Sequence, residues 1–225
     1  MKIGILHDVH TGPEEFIPLF HSINAPFDFS VYEVSNGNFP ESPEVCDAFL
    51  VSGSTKGVYD TDPWIGELSE FIKRSYKAQR KLVGICFGHQ VIAHALGGHA
   101  SKSEKGWGLG LKEFIITKRK SWMVPALDYC KLYFTHGDQV MSLPPGAELL
   151  GTSDFCPNNI FCIRNTVLGI QGHPEHTLKR MYKILELLKE KISIESQKVA
   201  RNSLNSSKPD SEIVARWILN FITTV

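Results

Sequence analysis

Apolar residues in the first half of the chain fall into short runs, separated by stretches with helical spacing. Residues 2–6 predict a first strand, and residues 14–23 predict a helical segment interrupted by Pro18. Residues 29–34 predict a second strand, followed by the turn-rich Asn36-Gly37-Asn38-Phe39-Pro40. Residues 48–52 predict a third strand. Over residues 63–77, Trp64, Leu68, Phe71 and Ile72 recur at helical spacing, and Pro63 suits a first helical turn. Residues 82–85 predict a fourth strand, and residues 88–96 a helix stopped by Gly97-Gly98. Strands separated by helices imply parallel crossovers and a sheet covered on both faces.

The second half changes character. Residues 109–117, 131–135, 148–152, 160–164 and 167–170 read as strands with short turns between several of them, so part of the sheet is expected to be antiparallel. Helix returns over residues 177–192, where Leu178, Met181, Ile184, Leu185 and Leu188 form one apolar face. Residues 202–208 read as a polar, Ser-rich linker. Asp210 or Ser211 then caps a final helix carrying Ile213, Val214, Trp217, Ile218 and Phe221. The predicted class is α/β: an open, mostly parallel central sheet flanked by helices, with additional antiparallel strands in the second half. Residues 1–225 are expected to form a single domain, with residues 193–225 as a C-terminal helical appendage.

Composition narrows the partners. The 225 residues are 42% hydrophobic and carry a formal net charge of zero, which gives no reason to expect nucleic acid or an anionic membrane. The run Lys118-Arg119-Lys120 reads as a solvated turn. No apolar stretch approaches the ~20 residues of a membrane helix, and the first residues lack the features of a signal peptide. Cys46, Cys86, Cys130, Cys156 and Cys162 are odd in number, and no Cys-x-x-Cys pair occurs. A reducing, cytoplasmic setting fits them best.

The chemistry concentrates in two segments. Leu82-Val83-Gly84-Ile85-Cys86-Phe87-Gly88-His89-Gln90 is an apolar run ending on a cysteine flanked by glycines, with helix-compatible residues following. Gly-x-Cys-x-Gly has the spacing of a nucleophile elbow, with sulfur in place of the hydroxyl. A helix start favours the thiolate, and a buried structural cysteine is the alternative. Val167-Leu168-Gly169-Ile170-Gln171-Gly172-His173-Pro174-Glu175 offers a base and an orienting carboxylate two residues apart, on one side of extended backbone. Both segments end strands, where open α/β sheets bind ligands. The Phe87 N–H is a natural oxyanion donor, and a second could come from the loop over residues 51–60. No phosphate-loop pattern is present. His89, His94 and His99 recur every five residues and so face apart on a helix. His173, Glu175 and His176 lack further ligands at a recognisable spacing, so no metal and no cofactor is expected.

These motifs, with Phe134-Thr135-His136-Gly137-Asp138-Gln139-Val140, resemble the class I (triad) glutamine amidotransferase family, in order from Ile3 to about Leu188. The resemblance is closest to the glutaminase domain of GMP synthetases, and it implies a flavodoxin-like fold. It implies Cys86 as nucleophile, His173 as general acid/base and Glu175 as its orienter. Ser54 and Phe87 would supply oxyanion-hole N–H groups. Gly53, Gln90 and the backbone around His136, Gly137 and Asp138 would hold the amino-acid end of a glutamine or γ-glutamyl substrate. Two departures stand out: Ser54 and Thr55 replace the usual glycine and proline, and the length leaves no room for an ATP-dependent synthetase. Gly53-Ser54, Trp64-Ile65, the segment from Gly84 to Gln90 with Phe87, Gly97-Gly98 and the segment Gly106-Trp107-Gly108-Leu109-Gly110 look more like the stand-alone branch that includes γ-glutamyl peptidases. A glutaminase subunit serving a separate synthetase partner is the alternative, and a non-catalytic binding module the third reading.

Overall fold

Period-two burial sets the layers of the structure, a computed structural model that describes residues 1–9 and 15–224. Five strands pair in parallel: β1 (Lys2–His7), β2 (Asp28–Glu33), β3 (Ala48–Val51), β4 (Lys81–Ile85) and β11 (Val167–Ile170). The sheet continues antiparallel through β10 (Ile160–Ile163), β9 (Ala147–Thr152), β6 (Gly108–Ile116) and β7 (Tyr129–His136). Its order is β2-β1-β3-β4-β11-β10-β9-β6-β7, so the expected mostly parallel sheet with later antiparallel strands is what forms.

Alternate residues of each central strand go to opposite faces. Ile3, Ile5, Leu50, Val83 and Ile85 join one cluster with Phe16 and Phe20 of α1 (Phe16–Ser22) and with Trp217, Ile218 and Phe221 of α6 (Ser211–Thr223). Leu6, Phe49, Val51 and Leu82 join the other, beneath Leu68 and Phe71 of α2 (Pro63–Lys77) and Val91 and Ile92 of α3 (Phe87–Ala95). The region expected as an appendage therefore contributes one of the covering helices. Its Trp217 indole donates to the Pro125 carbonyl at 2.7 Å.

Several boundaries differ from expectation, each for a local reason. α1 starts at Phe16, which puts Pro18 in the first turn, where its missing N–H costs no helical bond; Glu14, expected to open this helix, lies outside the described residues. The helix expected over residues 177–192 is shorter, α4 (Leu178–Leu187), and a separate α5 (Ile194–Leu204) follows. Ser193 caps α5 by accepting from the Ser196 N–H at 3.1 Å. α5 runs into the expected linker because Ala200 and Leu204, one turn apart, are buried against Leu109 and Leu111 of β6. Two short strands were not expected, β5 (His99–Lys102) and β8 (Asp138–Ser142), which pair as a separate ribbon.

Candidate active site

Cys86 sits where β4 turns into α3, and the turn is strained: its φ is 54° and its ψ −106°, outside the range ordinary side chains prefer. The flanking glycines are sterically required. A Cβ on Gly84 would lie 2.4 Å from the Gly88 carbonyl oxygen, and one on Gly88 would lie 2.0 Å from the Val51 carbonyl oxygen. Backbone bonds fix the turn on both sides. The Cys86 N–H donates to the Ile170 carbonyl at 2.9 Å, and the Gly88 N–H donates to the Ser52 carbonyl at 3.0 Å. The cysteine is buried but lies under the loop at Gly53, where an added Cβ would come within 3.8 Å of the Cys86 Cβ and 3.2 Å of His173 Cε1. The other cysteines are inert by environment. Burial pushes the Cys156 thiol up to about 12 and the Cys162 thiol up to about 11, and it raises Cys46 and Cys130 as well.

His173 follows the end of β11, and its N–H donates to the Tyr133 carbonyl of β7 at 2.8 Å. The ring is held from two sides. Nδ1 bonds Glu175 Oε1 at 2.6 Å, and Nε2 lies 3.0 Å from Thr135 Oγ1. Cys86 lies close enough to act on the charge of this ring. Burial opposes charge on this ring, but the negative charges of Glu175 and Cys86, with the hydrogen bond to Glu175, push its pKa up to about 10. Burial likewise works against the Glu175 carboxylate, and the charge of His173 with the hydrogen bond to it overcomes that, leaving the group below its ordinary range. The fold thus brings together Cys86, His173 and Glu175 from two different strand ends.

The remaining predicted residues fall into two groups. Ser54 Oγ donates to Asp8 Oδ2 at 2.6 Å and accepts from the Lys56 N–H at 3.0 Å, so the serine in place of glycine anchors its loop to the end of β1. Phe87 opens α3, whose first-turn N–H groups have no acceptor within the helix. Gln90 and His136 are buried, and both grip one carbonyl: Gln90 Nε2 donates to Asp138 O at 2.8 Å, as does His136 Nδ1. Burial drives the His136 pKa down to about 3, so the ring is neutral. The Gly137 carbonyl accepts from Ser103 at 2.9 Å, and Tyr59 donates its hydroxyl to Asp138 Oδ1 at 3.2 Å. Trp107, partly exposed, covers Gly137, 3.6 Å from where a Cβ would project.

His173, Glu175 and His176 present ligand atoms within 4.8 Å of one another. Their geometry does not suit an ion. The two imidazoles stack with centroids 4.0 Å apart and planes 7° from parallel. Ring-nitrogen lone pairs lie in those planes, and near-parallel planes do not converge on one metal. Sequence reasoning missed Asp8, Thr135, Glu15 and Gln171, whose side-chain oxygen accepts from Gln90 at 3.1 Å. Thr135 and Gln171 lay inside segments already singled out, and Ser54 in place of glycine signalled that something must receive its hydroxyl.

The family described as glutamine amidotransferase class-I matches residues 24–189. The chain belongs to this amidotransferase family. Gamma-glutamyl peptidase 2 of Arabidopsis thaliana is 28% identical over 202 residues, covering 86% of this chain and 81% of that one. GMP synthase of Porphyromonas gingivalis is 30% identical over 138 residues, which cover 60% of this chain and 26% of the synthase. A crystal structure of a glutamine amidotransferase from Thermotoga maritima shares the fold with a TM-score of 0.82 at 21% identity, covering 100% of this chain and 99% of that one. Among the described residues no helix is long and apolar enough to cross a membrane.

Proposed function

We propose that this amidotransferase-family chain is a cysteine hydrolase of γ-amide or γ-glutamyl bonds, acting as one cytoplasmic domain through a thioester. The observation that carries this reading is the buried His173–Glu175 bond of 2.6 Å beside a cysteine on a strained strand–helix turn. Cys86 reacts as its thiolate, with the proton on His173. The sulfur attacks the γ-carbonyl carbon, and the carbonyl electrons move to an oxyanion received by the N–H groups of Ser54 and Phe87. Collapse breaks the C–N bond as His173 gives its proton to the leaving nitrogen. His173, now neutral, takes a proton from water, and the hydroxide attacks the thioester. The C–S bond breaks, restoring the thiolate and releasing a glutamate product. Glu175 orients the ring throughout. Gly53, Gln90, His136, Gly137 and Asp138 form the wall against which the amino-acid end of the substrate rests.

A γ-glutamyl peptide is the favoured substrate, because similarity to a γ-glutamyl peptidase spans 86% of this chain and 81% of that protein. The second reading, a glutaminase subunit supplying ammonia to a separate synthetase, draws on the GMP synthase match over 138 residues. One experiment separates them. Purified chain is incubated with glutamine, glutathione and γ-glutamyl dipeptides, alongside Cys86→Ala, and the released products are identified. Glutamate release from peptides by the chain alone, abolished in Cys86→Ala, is the expected result. Retention of most of the rate in Cys86→Ala would overturn the mechanism. Activity confined to glutamine, and raised by a synthetase, would favour the second reading.

A further inference from the structure

One group of polar side chains behind the reacting residues has no part in the mechanism above. The His176 ring lies face to face on His173, as the 4.0 Å, 7° stack describes. Its Nδ1 donates to Glu15 Oε2 at 2.7 Å and lies 3.6 Å from Glu175 Oε1. Arg180 Nε stands 3.2 Å from Glu15 Oε1 on the far side. The result is two imidazole–carboxylate pairs, each bonded through Nδ1, packed ring on ring. The Glu15 bond spans 161 residues of sequence, joining the start of α1 to the segment after β11.

Charge explains why such a stack is useful. Burial and the neighbouring His173 push the His176 pKa down to about 3, so its ring is neutral. Two cationic rings at this spacing would repel, whereas a neutral aromatic face attracts a cation above it. The Glu15 carboxylate fixes the proton of His176 on Nδ1 and so fixes the ring plane.

We propose that His176, oriented by Glu15, is a positioning residue for His173: its neutral ring holds the His173 imidazole in the plane that meets both Glu175 and Cys86, and stabilises the imidazolium. This rests on reading His173 as the acid/base. The other charged or titratable groups around the pair are Cys86, Glu175 and the neutral His136, with Arg180 and Lys183 acting on Glu15.

The test uses the full chain with substitutions His176→Ala, His176→Phe, Glu15→Gln and His173→Ala. Two profiles are measured against pH: kcat/KM on a γ-glutamyl dipeptide, and Cys86 alkylation by iodoacetamide, located by mass spectrometry. His176→Ala is expected to lower kcat about tenfold with KM little changed, and to move the alkaline limb down by about one pH unit. His176→Phe, which keeps an aromatic face, is expected to retain the limb. A folded His176→Ala with an unmoved limb overturns the proposal, as does His176→Phe behaving like His176→Ala. Should His176→Ala fail to fold, Glu15→Gln decides: a limb shifted downward supports the proposal, and an unmoved one overturns it. If His173→Ala leaves the alkylation profile at wild type, the acid/base reading itself falls. A profile changed by His173→Ala but by neither neighbour overturns the present inference alone.

Discussion

The two regions of the sheet deliver their reacting groups by different physics. Cys86 comes from the parallel half of the sheet and is held by backbone sterics: a φ of 54°, and glycines whose Cβ atoms would strike carbonyl oxygens at 2.4 and 2.0 Å. His173 comes from the junction with the antiparallel half, where polar partners hold its ring: Glu175 at 2.6 Å, Thr135 at 3.0 Å and the stacked His176. The nucleophile's position is thus a property of the local chain, stiff and hard to tune. The base's position is a sum of separable contacts, each adjustable. Substitutions on the first side should break the fold, and those on the second should change rate and pH response while leaving the fold intact.

The sharpest test of the contrast is Gly88→Ala, whose new Cβ would meet the Val51 carbonyl at 2.0 Å. It is expected to cost about 3–4 kcal/mol, or about 10 °C in Tm, read by thermal unfolding. A loss below about 1 kcal/mol would show that the turn relaxes and that sterics are not what holds the cysteine. On the other side, Glu175→Gln should lower kcat about 10²–10³-fold with little change in Tm, measured by steady-state kinetics and unfolding together. Comparable damage to stability would erase the distinction. Asp8→Asn weakens the charge-assisted bond that receives the Ser54 hydroxyl at 2.6 Å, and about a tenfold fall in kcat is expected with KM held. An equal rise in KM would mean the loop serves ground-state binding instead. The mildest perturbation is pH alone. His173, raised to about 10 against burial by Glu175 and Cys86, keeps its proton below that value, so kcat/KM should fall only as pH climbs through about 10. A limb near neutrality would indicate that the two charges do not act on the ring.

The same contrast governs what the sequence made legible. The elbow could be read from residues 82–90 because its cause, glycine at fixed spacing around a junction residue, is local. α2 was bounded correctly at Pro63–Lys77 for the same reason, with a proline at its start and four apolar residues at helical spacing. His173 and Glu175 were found because they are two residues apart. Asp8, Thr135 and Glu15 were not, since their partners lie 46, 38 and 161 residues away and only the fold joins them. β5 escaped notice because His99, Ala100, Ser101 and Lys102 carry almost no apolar signal, and its existence depends on β8 beside it. α5 was hidden by the polar residues surrounding Ala200 and Leu204, which find their apolar cover only against β6.

The placement of α6 has a consequence for how the molecule is made. Ile3 and Ile5 are translated more than two hundred residues before Trp217, Ile218 and Phe221, yet all of them share one apolar layer. At ordinary elongation rates of roughly 5–20 residues per second, the nascent sheet waits roughly 10–40 s for its lid. During that interval α1 alone covers that face, and chaperone demand should peak before α6 emerges.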